Sequence, residues 1–567
     1  MKRVLSSRDL KHWYSILALV ALGLLVYGSS NSMLMPMLFG DAWGNLKNVI
    51  DGTFHCPQWD SLRPLSGCWF QFMYYLFGLN VIAYHVASLV ATMLTAVLLY
   101  LLLDRLLPKH RIFNLIAAML FLTYPTDYTF CWTIIGVNLR IPIIIFLSSC
   151  LLLIHFWRGN GWWAWVGALI LLVFSLGVYE IHIGLTAGGA VALFVLSRRH
   201  SLPRRMAILA PALIAVLFAI LRWSTQLAAG TAFGWSTESL GLSPSALIFR
   251  LISGYRISLL SGWLVELRRL FQRMEWQGEH TSAWAIVVLT AVVALMALMV
   301  TLILKLKPLK GDGFDKAHPT TLPTLRQQFM IGLGGLLALG AGYIPIIIAF
   351  CPTLAFGRTR ANILPSVGAA AVLAAGLAMV VTLLGHKGRQ ATLLFILLAT
   401  PFILLGGATQ IAVRQESEIA WSDQKSIWQQ MFEIAPDLAP GTNVFLLLPE
   451  YDHHLRVKPF LSGPWGFSSA LSLLYGHDDL QGFFIYDRRK SLRFTEEGII
   501  HPWPRYSPIV PYDQALLFQF NRDTGNLDLI TELPPNMTGI ARPISDLCTG
   551  CILTQPGQQT NLRWLVE

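Results

Sequence analysis

The chain has 567 residues, of which 54% are hydrophobic and only 13% charged, and its mean hydropathy is +0.56. A soluble chain carries roughly one-quarter charged residues, so an ordinary soluble globular fold is excluded. The net charge of +11 does not point to nucleic acid: Lys and Arg sit mainly in short segments between apolar runs, where membrane orientation explains them, and no basic, aromatic-interleaved surface domain is present.

Apolar runs recur from residue 13 to about residue 410 and then stop; a bilayer-crossing helix needs roughly 20 apolar residues. The first run, from Trp13 to about Ser29, follows Lys2, Arg3, Arg8 and Lys11. No small-x-small cleavage site closes it, so it reads as a retained signal anchor. Helices are predicted over 13–30, 84–103, 112–126, 133–157, 161–178, 181–197, 206–222, 283–304, 328–350, 364–385 and 391–409. The expected fold is a polytopic α-helical membrane protein of about eleven transmembrane helices, spanning residues 1–412.

Basic loops set the orientation. Arg105, Lys109 and Arg111, then Arg198, Arg199, Arg204 and Arg205, then Lys305, Lys307, Lys310 and Lys316, then Lys387 and Arg389 all fall on the side of the N-terminus, which the positive-inside rule places in the cytoplasm. An odd number of crossings then leaves residues 413–567 outside. The outer segment 223–282 departs from the pattern with Arg250, Arg256, Arg268, Arg269 and Arg273. Its stretch LIFRLISGYRISLLSGWLVELRRLF reads as an interfacial amphipathic helix, with a buried hairpin as the alternative.

After Arg414 the composition turns polar. Glu418 to Phe432 reads as a helix, TNVFLLLP as a buried strand, and QALLFQF and LDLIT around NRDTGN as a hairpin. The tail 413–567 is therefore expected to be a small extracytoplasmic α/β domain, loop-rich around Pro502, Pro504, Pro508 and Pro511. Seven cysteines give no zinc spacing. Cys56 with Cys68, and Cys548 with Cys551, can form disulfides in an oxidising compartment.

The outer loop 31–83 is long where the other early loops are short, and holds Asp41, Asp51, His55, Asp60 and Arg63 before an aromatic amphipathic stretch. Acids beside a bilayer can abstract a proton or hold a cation, and an arginine can pair with phosphate; a solvated loop with a local salt bridge is the plain alternative. In the hydrophobic part, ionisable residues are few: Asp127, Arg140, Glu180, His182, Arg222, Arg358 and Arg360, each at the outer end of a helix or in an outer loop. Charges at membrane depth are costly and tend to mark functional sites, so their gathering at one face suggests a polar cavity open to the outside. Interfacial snorkelling is the alternative for any one of them.

The string RPLSGCWFQFMYYLFGLNVIAYHVASLVATMLTAVLLYLLL resembles a pattern of GT-C membrane glycosyltransferases, in the branch of protein O-mannosyltransferase-like proteins and their bacterial relatives. FLTYPTDYTFCW, SLGVYEIHIG and GRTRANILPSVG are similar to three further segments of that pattern, in order, over roughly residues 30 to 435. The resemblance implies an inverting transferase that moves a sugar from a polyprenyl-phosphate donor to a protein, glycan or lipid acceptor, at the outer face of what reads as a prokaryotic plasma membrane. It implies Asp41 as the catalytic base and Arg360, with Arg63, as ligands of the donor phosphate; Asp60, His85, Asp127, Glu180 and Arg358 would support them. A divalent cation is compatible with the family, although no ligand cluster demands one. The chain has Gly40-Asp41 where the family pairs two acids, Tyr124 for a histidine, Thr129 for an acid, Tyr179-Glu180 for Lys-Glu, and no tetratricopeptide tail. A transporter or flippase of lipid-linked sugars and a catalytically inactive scaffold are the rival readings; inverted-repeat symmetry that would favour transport is not visible.

Overall fold

The computed structural model describes residues 7–28, 35, 37–57, 63–131, 133–159, 161–198, 200–228, 243–276, 322–349, 351–354, 359–448, 456–460, 464–486, 492–500, 509–533, 547–553 and 562–566. The expected helix 283–304, the basic loop with Lys305, Lys307, Lys310 and Lys316, Asp60 and Arg358 lie outside these residues.

The apolar runs fold into α1 (Ser7–Tyr27), α4 (Val81–Leu106), α5 (Arg111–Leu122), α6 (Thr133–Trp157), α7 (Trp162–Val178), α8 (Ile183–Leu196) and α9 (Leu202–Ala228). Two short helices, α2 (Asp41–Ile50) and α3 (Ser66–Phe77), stand in the first loop. Further along come α10 (Pro244–Arg256), a π-helical turn (Ile257–Ser261), α11 (Gly262–Trp276), α12 (Leu325–Ala349), α13 (Pro365–Leu383) and α14 (Gly388–Ile434). Among the described residues six helices are long and apolar enough to cross a membrane, with four shorter apolar ones beside them. The chain is thus a mostly helical integral membrane protein.

Lipid offers no hydrophobic drive between helices, so close packing of small residues has to hold them. The α12–α13 pair shows this. A Cβ on Gly368 would lie 2.3 Å from the Leu339 amide nitrogen, and one on Gly335 would lie 2.9 Å from the Gly368 carbonyl.

The two ends of the bundle differ chemically. At one end His12 of α1 meets Tyr100 and Asp104 near the end of α4; Arg111 approaches Asp104, and Arg158 donates to the Arg105 carbonyl. At the other end lie the turns bearing Asp41, Arg63, Glu180, Arg222 and Arg360.

The amphipathic stretch 244–276 is one helix interrupted by the π turn, without the hairpin. Part of its polar side faces protein, with Arg256 and Arg268 exposed: Arg250 donates to the Ile347 carbonyl at 2.7 Å, Ser258 Oγ lies 2.8 Å from Tyr343 Oη, and Glu266 is fully buried. Ile248, Phe249, Ile252, Leu260 and Leu264 point outward. A helix with polar groups inward and apolar groups outward suits contact with lipid.

The sequence reading separates a helix over 391–409 from one over Glu418–Phe432. Both belong to α14, whose 47 residues give a rod about 70 Å long. The change from apolar to polar composition near Arg414 marks a change of surroundings, and the absence of Gly or Pro between Ala408 and Ile434 lets the helix run through it. The far end of α14 carries a four-stranded sheet in the order β3 (Gln481–Ile485), β2 (Asn443–Leu447), β6 (Ala515–Asn521), β7 (Asn526–Ile530). β2 is parallel to both neighbours, and β6–β7 is the antiparallel hairpin expected from its turn residues. α15 (Pro464–Tyr475) links β2 to β3 and packs on the sheet, where Phe467 and Leu471 fill the space left by Gly482. Gln430 of α14 binds the hairpin twice, donating to the Gly525 carbonyl and accepting from the Leu527 amide. The buried apolar cluster is continuous from the bundle through Trp421 and Trp428 of α14 to Phe467 and Leu471 of α15.

Candidate active site

Asp41 is the first residue of α2, where helix N-terminal amides favour a negative charge. Gly40 before it has φ 51° and ψ −118°, a conformation that costs little only for glycine. A side chain at position 40 would be strained there. Asp41 is buried; its Oδ2 accepts from Arg360 Nη1 at 3.0 Å, and its Oδ1 is buried with no hydrogen-bond partner. The two residues are 319 positions apart.

Arg360 sits on a 3-10 turn (Thr359–Asn362) ahead of α13, whose first turn begins with Pro365, the ring φ matching the helix. Asn362 fixes that turn. It donates to the carbonyls of Thr126 and Thr353 at 3.1 and 3.3 Å and accepts from Tyr343 at 2.8 Å. Arg360 is therefore held by backbone and side-chain bonds reaching α12 and the segment after α5.

A second charged group adjoins the first. Glu180, in the turn between α7 and α8, accepts a two-pronged contact from Arg63, Nε to Oε2 at 2.9 Å and Nη2 to Oε1 at 3.1 Å. Arg222, near the end of α9, reaches the same carboxylate at 2.5 Å. The guanidinium of Arg63 also lies 4.0 Å above the Tyr179 ring. Local packing sets this up: the Leu65 amide donates to the Gly177 carbonyl at 3.0 Å, and the Leu65 side chain occupies the space beside Gly177 that a Cβ would need. Tyr179, beside Glu180 in the chain, is in electrostatic reach of Arg63, Arg360, Arg222 and Asp41.

The supporting residues divide. Glu180 is in the site. Asp127 is buried 2.5 Å from Arg140, its ion-pair partner, and accepts from the Thr129 amide and hydroxyl. Thr129, which replaces the family's acid, thus serves the neighbouring acid as a hydrogen-bond donor. His85 is buried in α4 within electrostatic reach of Arg414. Arg222 is the residue that sequence reasoning left among the general ionisable set; its signal was a lone arginine closing an apolar run, which snorkelling explains equally well.

Among the described residues no three of His, Cys, Asp or Glu gather to hold a metal ion, and both carboxylates of the site are paired with arginines. Among the described residues this donor set does not fit a divalent cation. Cys56–Cys68 and Cys548–Cys551 are disulfide-bonded, and the first closes the loop that holds Arg63.

No protein-family model matches the chain, and none of the curated proteins matches it. Among solved structures it is similar to ArnT from Cupriavidus metallidurans in the apo state. The identity is 11% and the TM-score 0.38, with 91% of this chain and 94% of that one covered. At that level no residue role passes from one to the other.

Proposed function

We propose that the chain is a GT-C-type glycosyltransferase that takes its sugar from a polyprenyl-phosphate donor at the extracytoplasmic face. Asp41 is the base: its carboxylate removes the proton of an acceptor hydroxyl as that oxygen attacks the anomeric carbon. The bond from that carbon to the donor's phosphate oxygen breaks, its electron pair stays on the phosphate, and configuration inverts. Arg360 receives the phosphate, and the arginines on Glu180 add positive charge beside it.

The observation that carries this reading is the buried Asp41–Arg360 pair with one carboxylate oxygen unpartnered. Base and phosphate ligand stand within one hydrogen bond of each other, so a phosphate that draws Arg360 away frees the carboxylate when the donor is seated.

The test is sugar release from a panel of polyprenyl-phosphate sugars by the purified full chain in detergent, wild type beside Asp41→Asn. A positioned base contributes about 10²–10⁴-fold. Asp41→Asn is expected to lose turnover by that order while remaining folded, with some loss of melting temperature from the broken Arg360 pair. Wild-type turnover in the mutant would discard Asp41 as the base.

A further inference from the structure

α2 has few tethers of its own. It is ten residues long, its N-cap Gly40 offers no side-chain bond, and its first residue is Asp41. What holds it is α15 of the C-terminal sheet unit, more than 400 residues away in sequence. A Cβ on Gly44 would lie 2.2 Å from the indole of Trp465, so the helix and that ring are in direct contact. A Cβ on Gly466 would lie 2.6 Å from the carbonyl oxygen of Gly40, the residue whose positive φ aims Asp41 into the site. Lys47, one further turn along α2, bonds Asp478 just beyond α15 at 2.6 Å. On the preceding segment, the Phe39 ring meets Trp421 of α14 edge-on at 6.0 Å.

We infer that Trp465 and Gly466 of the C-terminal unit are positioning residues for Asp41: α15 clamps the Gly40 turn and thereby fixes the base relative to Arg360. The C-terminal unit completes the site without entering it. This rests on the reading of Asp41 as the base. Displacing a catalytic group by about 1 Å can cost on the order of 100-fold in rate. The clamp should therefore act on turnover, because nothing in it touches the donor's phosphate arginines.

The experiment compares Gly466→Ala, Trp465→Ala and Trp465→Phe with wild type, Asp41→Asn and Leu527→Ala in the full chain, measuring kcat, KM for the polyprenyl-phosphate sugar and melting temperature. Leu527 is buried in β7, far from the clamp, so Leu527→Ala reports loss of packing in the same unit. Gly466→Ala and Trp465→Ala are expected to lower kcat about 10- to 100-fold with KM within twofold. Trp465→Phe should recover most of the rate, and Leu527→Ala should lower melting temperature and leave kcat alone. Wild-type kcat in Gly466→Ala and Trp465→Ala, with Asp41→Asn silent, overturns the clamp and leaves the base in place. Full turnover by Asp41→Asn overturns the base instead. Equal losses in Leu527→Ala also overturn the clamp, because they would be general destabilisation.

Amide exchange over residues 41–47 is read on the same samples, and it needs no turnover and no catalytic assignment. Faster exchange in Trp465→Ala than in Leu527→Ala supports the clamp, and equal exchange overturns it. Should the interior variants not accumulate, Asp478→Lys, at an exposed position, replaces them in both measurements, with a several-fold loss of kcat expected and wild-type behaviour overturning the clamp.

Discussion

Glu266→Gln tests whether the C-terminal unit is fastened to the bundle by buried charge. Glu266 on α11 is fully buried, accepts from Tyr128 Oη at 2.6 Å and Arg269 at 2.9 Å, and stands in ion-pair contact with Arg456 Nη2 at 2.8 Å. The Arg456 side chain has no exposure, and its other carboxylate is Glu416 of α14, 3.8 Å from Nε, which also accepts the Arg456 amide at 2.8 Å. An exposed ion pair contributes roughly 0–1 kcal/mol, whereas removing one partner of a buried pair costs about 3–5 kcal/mol. Glutamine keeps the shape and can still accept from Tyr128, and Glu416 still balances Arg456. The expected loss is therefore below that range, about 2–3 kcal/mol. Glu416→Gln should cost a similar amount. The double variant should exceed the sum by at least about 1 kcal/mol, because either carboxylate alone can serve Arg456 but neither remains. The assay is unfolding of the detergent-solubilised chain followed by tryptophan fluorescence, to which Trp421 and Trp428 at this junction contribute. A Glu266→Gln variant within about 0.5 kcal/mol of wild type, or an additive double variant, would refute the argument.

Glu180→Gln leaves Arg63 and Arg222 facing each other without their shared carboxylate. With Arg63 partly exposed, a loss of about 2 kcal/mol is expected, and a further Arg222→Met should restore part of it; denaturation of the three proteins checks this. Gly40→Asp, which restores the family's acid pair, places a side chain at φ 51° beside α15. It should cost about 1–3 kcal/mol and lower sugar transfer, both measurable on one preparation. Lys47 is pulled down by burial but carried above its ordinary 10.5 by the bonds to Asp478 and Asp51. A raised folded pKa stabilises below the unfolded value and is lost as pH rises through the folded one. Amide exchange in α2, corrected for its intrinsic pH dependence, should therefore show constant protection from pH 6 to 9 and loosening only above about pH 10.5 in wild type. Lys47→Met should show no such loosening.

Much of the helical frame was legible because membrane helices announce themselves by composition: α4 (Val81–Leu106) extends only a few residues beyond the 84–103 expected from apolar residues alone. The tail's hairpin was legible for the local reason that NRDTGN supplies turn residues between two alternating runs. The length of α14 was not, because hydropathy reports the solvent around a helix and nothing in the backbone need change where that solvent does. The 244–276 stretch reads as an interfacial helix, and the inward turn of Arg250, Ser258 and Glu266 was not legible, because amphipathicity does not distinguish a polar side facing water from one facing protein.

The site divides along the same line between local and distant information. Asp41, Arg63, Glu180 and Arg360 each stood in a recognisable local string, and the structure gathers all four. Their pairing was not legible. Arg63 meets Glu180 across 117 positions, and Arg360 meets Asp41 across 319, distances over which sequence carries no geometric signal without homologues. Gly40 shows what a substitution pattern hides. As sequence, the missing acid reads as a loss that puts catalysis in doubt. As structure, glycine is what permits φ 51° at the turn into α2, and the close approach of Gly466 to its carbonyl leaves that turn little freedom. From outside the first loop, α14, α15, the bundle helix α6 and the Arg360 turn all reach this segment, so its geometry depends on residues hundreds of positions away.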